Sequence, residues 1–161
     1  MIIIGIDPGP ISTAFCTISR NNVILDSDKW PNSEFIAFLQ AYPKALGGPC
    51  VALESIQSYG MAVGREVFDT CYMIGRIIQV CIDRGIDCTL YPRPEYTRRI
   101  CGVGKINDAV LRQALLLRFG GDRKGEPLAM LKGNSDKRSA FAVAIYHLDL
   151  MNGGLLAAQN K

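Results

Sequence analysis

The sequence contains no apolar run close to the roughly 20 residues that a membrane-spanning helix requires, so we expect no membrane span. Met1 leads directly into the apolar residues 2–6 without a basic flank or a cleavage site, so no secretory signal is expected. Hydrophobic residues make up 48% of the chain and charged residues 20%, which excludes wholesale disorder. A length of 161 residues fits one domain spanning residues 1–161.

The cysteines and histidines do not form a metal-binding pattern. No two of the six cysteines form a C-x-x-C pair, and His147 is the only histidine, which excludes a zinc site of ordinary spacing. Most of the cysteines lie in apolar runs, as expected of free thiols in a reducing compartment. We therefore expect a cytoplasmic protein with these free cysteines: Cys16, Cys50, Cys71, Cys81, Cys88 and Cys101.

Charge is unevenly distributed along the chain. Residues 1–91 carry 6 basic and 9 acidic side chains, a net charge of −3, whereas residues 92–138 carry 11 and 5, a net charge of +6. A basic segment next to a mildly acidic one indicates an anionic partner. An arginine-rich, solvated surface with no partner would give the same pattern, so charge alone does not decide.

Periodicity and turn residues predict an α/β fold. We predict strands at about residues 2–6, 12–18, 23–25, 50–53 and 87–91, and helices at about residues 32–42, 63–84, 94–101, 107–119 and 135–150. The first three strands predict an antiparallel meander, and the later alternation with helices predicts parallel strands. The result is a five-stranded mixed sheet with helices on both faces. Residues 120–135 are polar and basic, and a mobile loop is expected there.

Two acidic residues stand out because each ends an apolar strand. Asp7 follows the first predicted strand and Glu54 follows the fourth. A carboxylate at the rim of a covered sheet is partly desolvated, which is costly unless a cation or donor meets it. If the two strands are parallel neighbours, both acids emerge at one end of the sheet, and Asp136 in the last helix adds a third. Ligation by oxygen alone suits Mg²⁺ or Mn²⁺.

Each acid also has an ordinary interpretation. Asp7 fits a turn before Pro8 and Gly9, Glu54 fits a solvated strand end, and Asp136 fits a helix N-terminus. Taken singly, these interpretations are at least as good as a functional one. Taken together with the basic segment, the three acids favour metal-dependent chemistry on phosphate.

At these residues the sequence resembles the RuvC-type Holliday junction resolvases of the ribonuclease H-like superfamily. Residues 3–9 (IIGIDPG) resemble the first-strand motif, residues 53–55 (LES) the second acidic position, and residues 135–145 (SDKRSAFAVAI) the final catalytic helix. Residues 58–70, 100–102 and 111–120 resemble phage and prophage members. The ordered set of motifs spans nearly the whole chain.

The resemblance implies a ribonuclease H-like nuclease domain that resolves four-way or other branched DNA in recombination, repair or phage genome processing. It implies a magnesium-dependent endonuclease that leaves 5′-phosphate and 3′-hydroxyl ends, with Mn²⁺ as the alternative ion. The catalytic residues would be Asp7, Glu54 and Asp136, with one ion between Asp7 and Glu54 and a second between Asp7 and Asp136. The expected location is the cytoplasm of a bacterium or of a phage-infected host.

One position departs from the family pattern, which usually ends with two acids one helical turn apart. Ser139 occupies the second of these positions, and its hydroxyl, or a water that it holds, is a poorer metal ligand than a carboxylate. We therefore expect the change to affect the rate and the metal preference. Asp108 is a spare acid in the basic segment, and we expect it to begin a helix.

Basic and aromatic residues are expected to contact the DNA. Basic side chains on phosphate give affinity and salt dependence but little sequence information. Tyr59, close to Glu54, could stack at an opened junction or could cover the core. The loop residue Lys105 could equally be a solvated charge. The expected phosphate contacts are Lys105, Arg112, Lys132, Lys137 and Arg138.

The long predicted helix at residues 63–84 has an apolar arc of roughly 240°, wider than the ~100° that a surface helix buries. We predict that its excess apolar residues form a two-fold dimer interface, since a four-way junction has approximate two-fold symmetry. Alternatively, the C-terminal helices of the same chain cover them. The predicted interface residues are Phe68, Met73, Ile77 and Val80.

Three other functions remain open at this point. An actin-like ATP-binding lobe also has an Asp-x-Gly pattern after its first strand, but such proteins use two lobes and this chain has room for one. A non-catalytic junction-binding relative is suggested by Ser139. A related nuclease could act on RNA or on other branched DNA.

Overall fold

The structure is a computed structural model that describes residues 1–43, 48–57, 60, 62–102 and 105–159, with side chains in these ranges up to residue 153. Its strands are β1 (Ile2–Asp7), β2 (Ser12–Ser19), β3 (Ile24–Pro31), β4 (Pro49–Ser55) and β5 (Cys88–Pro92). Its helices are α1 (Asn32–Ala41), α2 (Arg65–Arg84), α3 (Arg93–Cys101), α4 (Asp108–Phe119), a short 3₁₀ helix (Ala129–Leu131) and α5 (Ser135–Gln159).

The described strands form a mixed sheet in the order β3-β2-β1-β4-β5. β1 pairs antiparallel with β2, and β2 pairs antiparallel with β3. β1 pairs parallel with β4, and β4 pairs parallel with β5. The predicted meander followed by parallel strands is therefore confirmed. The apolar strand β1 lies at the centre, where both of its faces are buried.

The edge strand β3 is longer than predicted. It continues through Asp26, Asp28 and Lys29, all of which are exposed. A strand at the edge of a sheet does not have to be apolar, and charged side chains protect it from pairing with other chains. Because this part of β3 is polar, its hydrophobic pattern did not predict a strand. The strand brings Lys29 into register with Ala14 of β2.

Helices cover both faces of the sheet, as predicted. On one face, α5 packs on Ile3, Cys16 and Ala52, with α3 and α4 beside it. On the other face, α1 and α2 pack on Ile4 and Val51. The alternation of side chains along β1, with Ile3 on one face and Ile4 on the other, divides the core into these two layers.

Gly5 in β1 determines how closely α5 approaches the sheet. A Cβ atom on Gly5 would lie 2.0 Å from the backbone oxygen of Ala140 and 2.7 Å from the Cβ of Ala144. Both distances are far shorter than van der Waals contact, so α5 can lie this close only because residue 5 has no side chain. This contact places the first turn of α5 beside the carboxyl end of β1.

The structure corrects the predicted dimer interface on α2. Met73, Ile77 and Val80 are at most 7% exposed and belong to the core layer beneath the sheet. The sheet and α1 cover them, not the C-terminal helices, so they are not available to a second copy. Phe68 is 51% exposed and lies on the surface.

Two segments differ from their predicted form. Residues 120–134, predicted as a loop, include the 3₁₀ helix, which the buried side chains of Leu128 and Leu131 anchor to the core. α5 continues to Gln159, beyond the predicted end near residue 150. The anchored segment places the residue before α5, Asn134, at the end of the sheet.

Two expectations from composition can be compared with the structure. The six cysteines are free thiols, as predicted; Cys16 and Cys81 are buried, whereas Cys71 is exposed. In the described part of the chain, no helix is both long enough and apolar enough to cross a bilayer.

Replacing Gly5 with alanine should destabilise the protein, because α5 would have to move away from β1. We expect the free energy of unfolding to fall by about 1–3 kcal/mol, the range for overpacked cores. Urea denaturation measures this change. Gly153→Ala is the matched control, since Gly153 lies on α5 with open space around its Cβ position and alanine favours helix there. Equal stability of Gly5→Ala and wild type would contradict the close-packing interpretation.

Candidate active site

The parallel register of β1 and β4 places Asp7 beside Glu54. Ile6 pairs with Leu53, so the next residues of the two strands are neighbours. Adjacent strands lie about 4.8 Å apart, and residues at matching positions point to the same face. That face also carries Gly5, two residues before Asp7, and is the face covered by α5.

The first turn of α5 brings Asp136 to the same end of the sheet. Asn134 caps the helix, because its Oδ1 accepts hydrogen bonds from the backbone N–H groups of Asp136 at 3.0 Å and of Lys137 at 3.1 Å. Asp136 and Asp7 line one cavity of about 340 Å³. The structure thus brings together the three acids that the sequence singled out. Ser139 follows one turn later on α5 and is 2% exposed.

The two strand-end acids share an unfavourable electrostatic environment. Burial, together with the negative charges of Glu54 and Asp136, raises the pKa of Asp7 to about 8. Burial also raises the pKa of Glu54, and the hydrogen bond from Tyr96 and the charge of Arg93 offset this only in part. Asp7 and Glu54 therefore form a pair of carboxyl groups that a bound cation would stabilise.

Asp136 is stabilised by a cation of the protein itself. Lys29 Nζ lies 2.5 Å from Asp136 Oδ2. Partial burial of Asp136 acts to raise its pKa, but the hydrogen bond and the charge of Lys29 outweigh burial and hold the pKa below its usual range. Lys29 reaches this position because it pairs with Ala14, which in turn pairs with Asp7.

Arg93 connects four groups at the same end of the sheet. Its guanidinium donates to Ser139 Oγ at 2.8 Å, to Asp108 Oδ1 at 2.6 Å and to Tyr96 Oη at 3.4 Å. Its Nη1 also lies 3.6 Å from Glu54 Oε2. Arg93 follows β5 directly, so it emerges at the edge where Asp7 and Glu54 end their own strands.

Tyr96 fixes the orientation of Glu54. Its side chain is fully buried, and its hydroxyl donates to Glu54 Oε2 at 2.5 Å. Burial and the charge of Glu54 raise the pKa of Tyr96 well above its ordinary value, so the hydroxyl keeps its proton at neutral pH. A neutral donor at this position restrains the carboxylate without cancelling its charge.

Asp7 and Glu54 are the two predicted ligands best placed to hold a divalent ion. Two neighbouring carboxyl groups, Asp7 and Glu54, suit the oxygen preference of Mg²⁺ or Mn²⁺. Among the residues that the structure describes, however, no three His, Cys, Asp or Glu side chains are grouped closely enough to hold a metal ion. Of the four predicted ligands, Asp136 is paired with Lys29, and Ser139 accepts a hydrogen bond from Arg93.

Among the predicted phosphate contacts, Lys105 and Lys132 are exposed. Arg112 is also exposed, but its guanidinium binds Asp122 at 2.6 Å. Tyr59 lies outside the described residues. Lys105 and Lys132 therefore remain the simplest candidates for contact with DNA.

Two other predicted phosphate contacts bind the protein itself. Lys137 Nζ donates to the backbone oxygen of Ser27 at 3.4 Å, and Arg138 donates to the backbone oxygen of Leu131 at 3.3 Å. Both side chains are half-buried. In this structure they tie the start of α5 to β3 and to the 3₁₀ helix.

Sequence reasoning missed Lys29, Arg93 and Tyr96. Arg93 comes two residues after the end of the fifth predicted strand. The strand-end criterion that selected Asp7 and Glu54 would have selected Arg93 too if it had been applied to basic residues as well as acidic ones. Lys29 required the register of an unpredicted strand segment. Tyr96 carried no signal, because its contact with Glu54 depends on how α3 lies against the sheet.

No protein-family model and no curated protein sequence matches this chain. Solved structures do match, and they show the fold: the chain has a RuvC-type fold. The resemblance noted in the sequence is thereby confirmed at the level of the fold.

The matching structures include Thermus thermophilus RuvC. The structure of that protein has a TM-score of 0.65 and 16% identity, and the match covers 96% of this chain and 97% of that chain. T. thermophilus RuvC in complex with its Holliday junction substrate has a TM-score of 0.68 and 16% identity, with 96% of both chains covered. Identity at this level establishes the fold alone.

The raised pKa of Asp7 predicts that stability falls as the pH rises in a metal-free buffer. Between about pH 4 and pH 8 the folded state holds this proton more tightly than the unfolded chain, so its stabilising effect is lost across that range. Asp7→Asn imitates the protonated form. At pH 8 in EDTA it should be more stable than wild type by at least about 1.4 kcal/mol, the equivalent of one pKa unit.

Urea denaturation at pH 5 and pH 8 measures this difference, which should grow with pH. Asp26→Asn, at an exposed position on β3, is the matched control. Mn²⁺ should stabilise the wild type more than Asp7→Asn, since a ligand of the folded state shifts the equilibrium toward it. If Asp7→Asn is no more stable than wild type at pH 8, the ionised Asp7 carboxylate does not destabilise the folded protein.

Proposed function

We propose that this chain is a structure-selective endodeoxyribonuclease that resolves four-way or branched DNA junctions by metal-dependent hydrolysis. The observation that carries the proposal is the adjacency of Asp7 and Glu54 at the ends of parallel strands, beside the start of α5 and Asp136. The likeness of the fold to T. thermophilus RuvC bound to a Holliday junction substrate supports DNA junctions as the substrate class.

The proposed mechanism assigns a role to each side chain. Asp7 and Glu54 would hold Mg²⁺ or Mn²⁺, with Asp136 as the third acidic group. A divalent ion held there would supply Lewis-acid stabilisation of the phosphodiester and would lower the pKa of a water molecule for in-line attack. Tyr96 fixes Oε2 of Glu54, and Lys29 keeps Asp136 ionised. In-line attack that releases the 3′ oxygen gives the 5′-phosphate and 3′-hydroxyl ends implied by the resemblance.

The basic segment would supply affinity for the DNA backbone. Residues 92–138 carry the excess of positive charge, and Lys105 and Lys132 expose their side chains within it. Contacts of this kind are sequence-independent and weaken as salt rises. They are consistent with recognition of the shape of a junction.

A homodimer would match the approximate two-fold symmetry of a four-way junction, and we propose that α2 forms its interface. Phe68, Tyr72 and Ile82 are 51%, 68% and 67% exposed. At 3.6 residues per turn these three side chains lie within an arc of about 80°. The uncharged residues Gly75 and Gln79 lie within the same arc and are also exposed, so this face is suited to an isologous contact.

One observation favours a second candidate function, that of a junction-binding relative that does not cut. Lys29 already pairs with Asp136, Arg93 already lies beside Glu54, and Ser139 stands where the family has an acid. A site whose acids are partly neutralised by the protein could bind DNA without recruiting a metal. Cleavage in the presence of Mg²⁺ or Mn²⁺ separates the two functions.

Asp7→Asn should abolish junction cleavage and preserve junction binding, because the substitution removes a proposed metal ligand and leaves the exposed lysines of the basic segment, Lys105 and Lys132, unchanged. The assay incubates a mobile four-way junction, a duplex and a fork with each protein, with and without Mg²⁺ or Mn²⁺. We expect at least about 10²-fold loss of cleavage, comparable to the loss of one electrostatic catalytic group. Gel-shift affinity in EDTA should be unchanged, as should cleavage by Asp26→Asn. Equal cleavage by Asp7→Asn and wild type would remove Asp7 from the mechanism.

Phe68→Glu should convert the dimer to monomers, because burying two like charges across a two-fold axis is unfavourable. Multi-angle light scattering measures the mass directly. Leu117→Glu, at a 79% exposed apolar position on α4, is the matched control and should leave the mass unchanged. A monomeric wild type, or an unchanged dimer in Phe68→Glu, would refute the α2 interface.

A further inference from the structure

Arg93 lies at the same end of the sheet as Asp7 and Glu54. Its guanidinium lies between Glu54 at 3.6 Å, Ser139 at 2.8 Å and Asp108 at 2.6 Å. These three groups lie on three different elements: Glu54 on β4, Ser139 on α5 and Asp108 at the start of α4. Arg93 itself begins α3. Contacts with three other elements therefore fix the position of the Arg93 guanidinium at this end of the sheet.

Ser139 occupies the position where the family pattern has a second acid, and the Arg93 guanidinium binds it. Ser139 lies one turn after Asp136 on α5 and is 2% exposed. Its Oγ accepts from Arg93 and donates to the backbone oxygen of Ser135 at 3.3 Å. The Ser139 hydroxyl therefore has both a donor and an acceptor partner within the protein. A second metal ion would need an acidic ligand at residue 139, and the structure has the positively charged Arg93 guanidinium next to that residue.

The balance of charge around Arg93 favours one ion. Four carboxyl groups and two cations lie together here, so the fully ionised cluster has a net charge of −2. One divalent ion neutralises this cluster, whereas two would leave it with a net charge of +2 before DNA binds. The members of the cluster are Asp7, Glu54, Asp108, Asp136, Lys29 and Arg93.

We propose that the site binds a single divalent ion, on Asp7 and Glu54, and that the Arg93 guanidinium supplies the second positive charge by binding the scissile phosphate. This inference rests on the proposed nuclease function and specifies how its active site is built. Arginine is suited to the role because its planar N–H groups bind phosphate in a fork and its charge does not depend on pH.

The phosphate can reach Arg93 at little cost. The side chain of Arg93 is 38% exposed and that of Asp108 is 57% exposed, so their ion pair is accessible to solvent. Exposed pairs contribute little to stability, and a phosphate oxygen can replace the Asp108 carboxylate as the acceptor. The hydrogen bond to Ser139 would hold the guanidinium in place during this exchange.

Counting bound Mn²⁺ tests the proposal without measuring cleavage. Equilibrium dialysis, with electron paramagnetic resonance of the bound ion, gives the number of ions per chain at pH 8, and Asp7→Asn serves as the blank. We expect one ion per wild-type chain above the blank, with the six-line spectrum of an isolated Mn²⁺. The double variant Arg93→Ala/Ser139→Asp restores an acid and removes the competing cation, and it should bind two ions.

The outcomes separate the inference from the function on which it rests. Two spin-coupled ions per wild-type chain would overturn the role of Arg93 and leave the nuclease proposal standing. No ion above the blank, in a chain that still binds junctions, would overturn the metal-dependent function itself. The wild-type count decides between these outcomes even if the double variant does not fold.

Cleavage kinetics test the contact with phosphate. At saturating junction DNA, Arg93→Ala should cleave about 10²–10³-fold more slowly, the loss expected when one transition-state charge contact is removed. Arg93→Lys should recover part of the rate, and Arg20→Ala, at an exposed position after β2 at the opposite end of the sheet, should match wild type. The ion count of Arg93→Ala should stay at one. Wild-type cleavage by a folded Arg93→Ala, verified by its circular dichroism melt, would refute the proposal.

Discussion

The contact between α5 and the glycine of β1 is the constraint on which the rest of the site depends. Without a side chain at Gly5, the backbone of Ala140 rests directly on the sheet. Asp136 lies one turn before this contact, and Asp7 lies two residues beyond Gly5. One close approach between a helix and a strand therefore determines the relative positions of acids that are 129 residues apart in the sequence. Parallel pairing then adds Glu54 at the adjacent position.

The cluster of acids is costly for the folded chain, and the structure shows how the cost is limited. Lys29 stabilises Asp136, Arg93 lies beside Glu54, and Tyr96 donates to Glu54 without adding charge. Asp7 has the most strongly raised pKa of the three acids, to about 8. The acid that is least stabilised by the protein is thus the one that would gain most from a bound cation, and a buried carboxyl group with a strongly perturbed pKa is typical of a functional site.

The sequence predicted the fold and the three acids because those features depend on local patterns. An apolar run ending in an acid identifies β1 and Asp7 without any knowledge of the partner strands. The edge strand β3 lacked such a pattern, so the position of Lys29 was not foreseen. The width of the apolar arc on α2 was visible, but periodicity does not show which part of an arc meets the sheet, and Met73 and Ile77 were assigned to the wrong surface. The contacts of Arg93 with Ser139 and of Tyr96 with Glu54 depend on how α3 packs against α5 and the sheet, which a single sequence does not encode locally.

The cap on α5 has a consequence for the acids beside it. Aligned peptide dipoles give the N-terminus of a helix a partial charge of about +0.5. Asn134 satisfies only two of the N–H groups there, at Asp136 and Lys137. The N-terminus of this 25-residue helix thus lies beside the acids. The electric field of the helix favours negative charge at this end of the sheet, whether or not an ion or nucleic acid is bound. Because this field belongs to the backbone, it persists whichever side chains are exchanged at that end of the sheet.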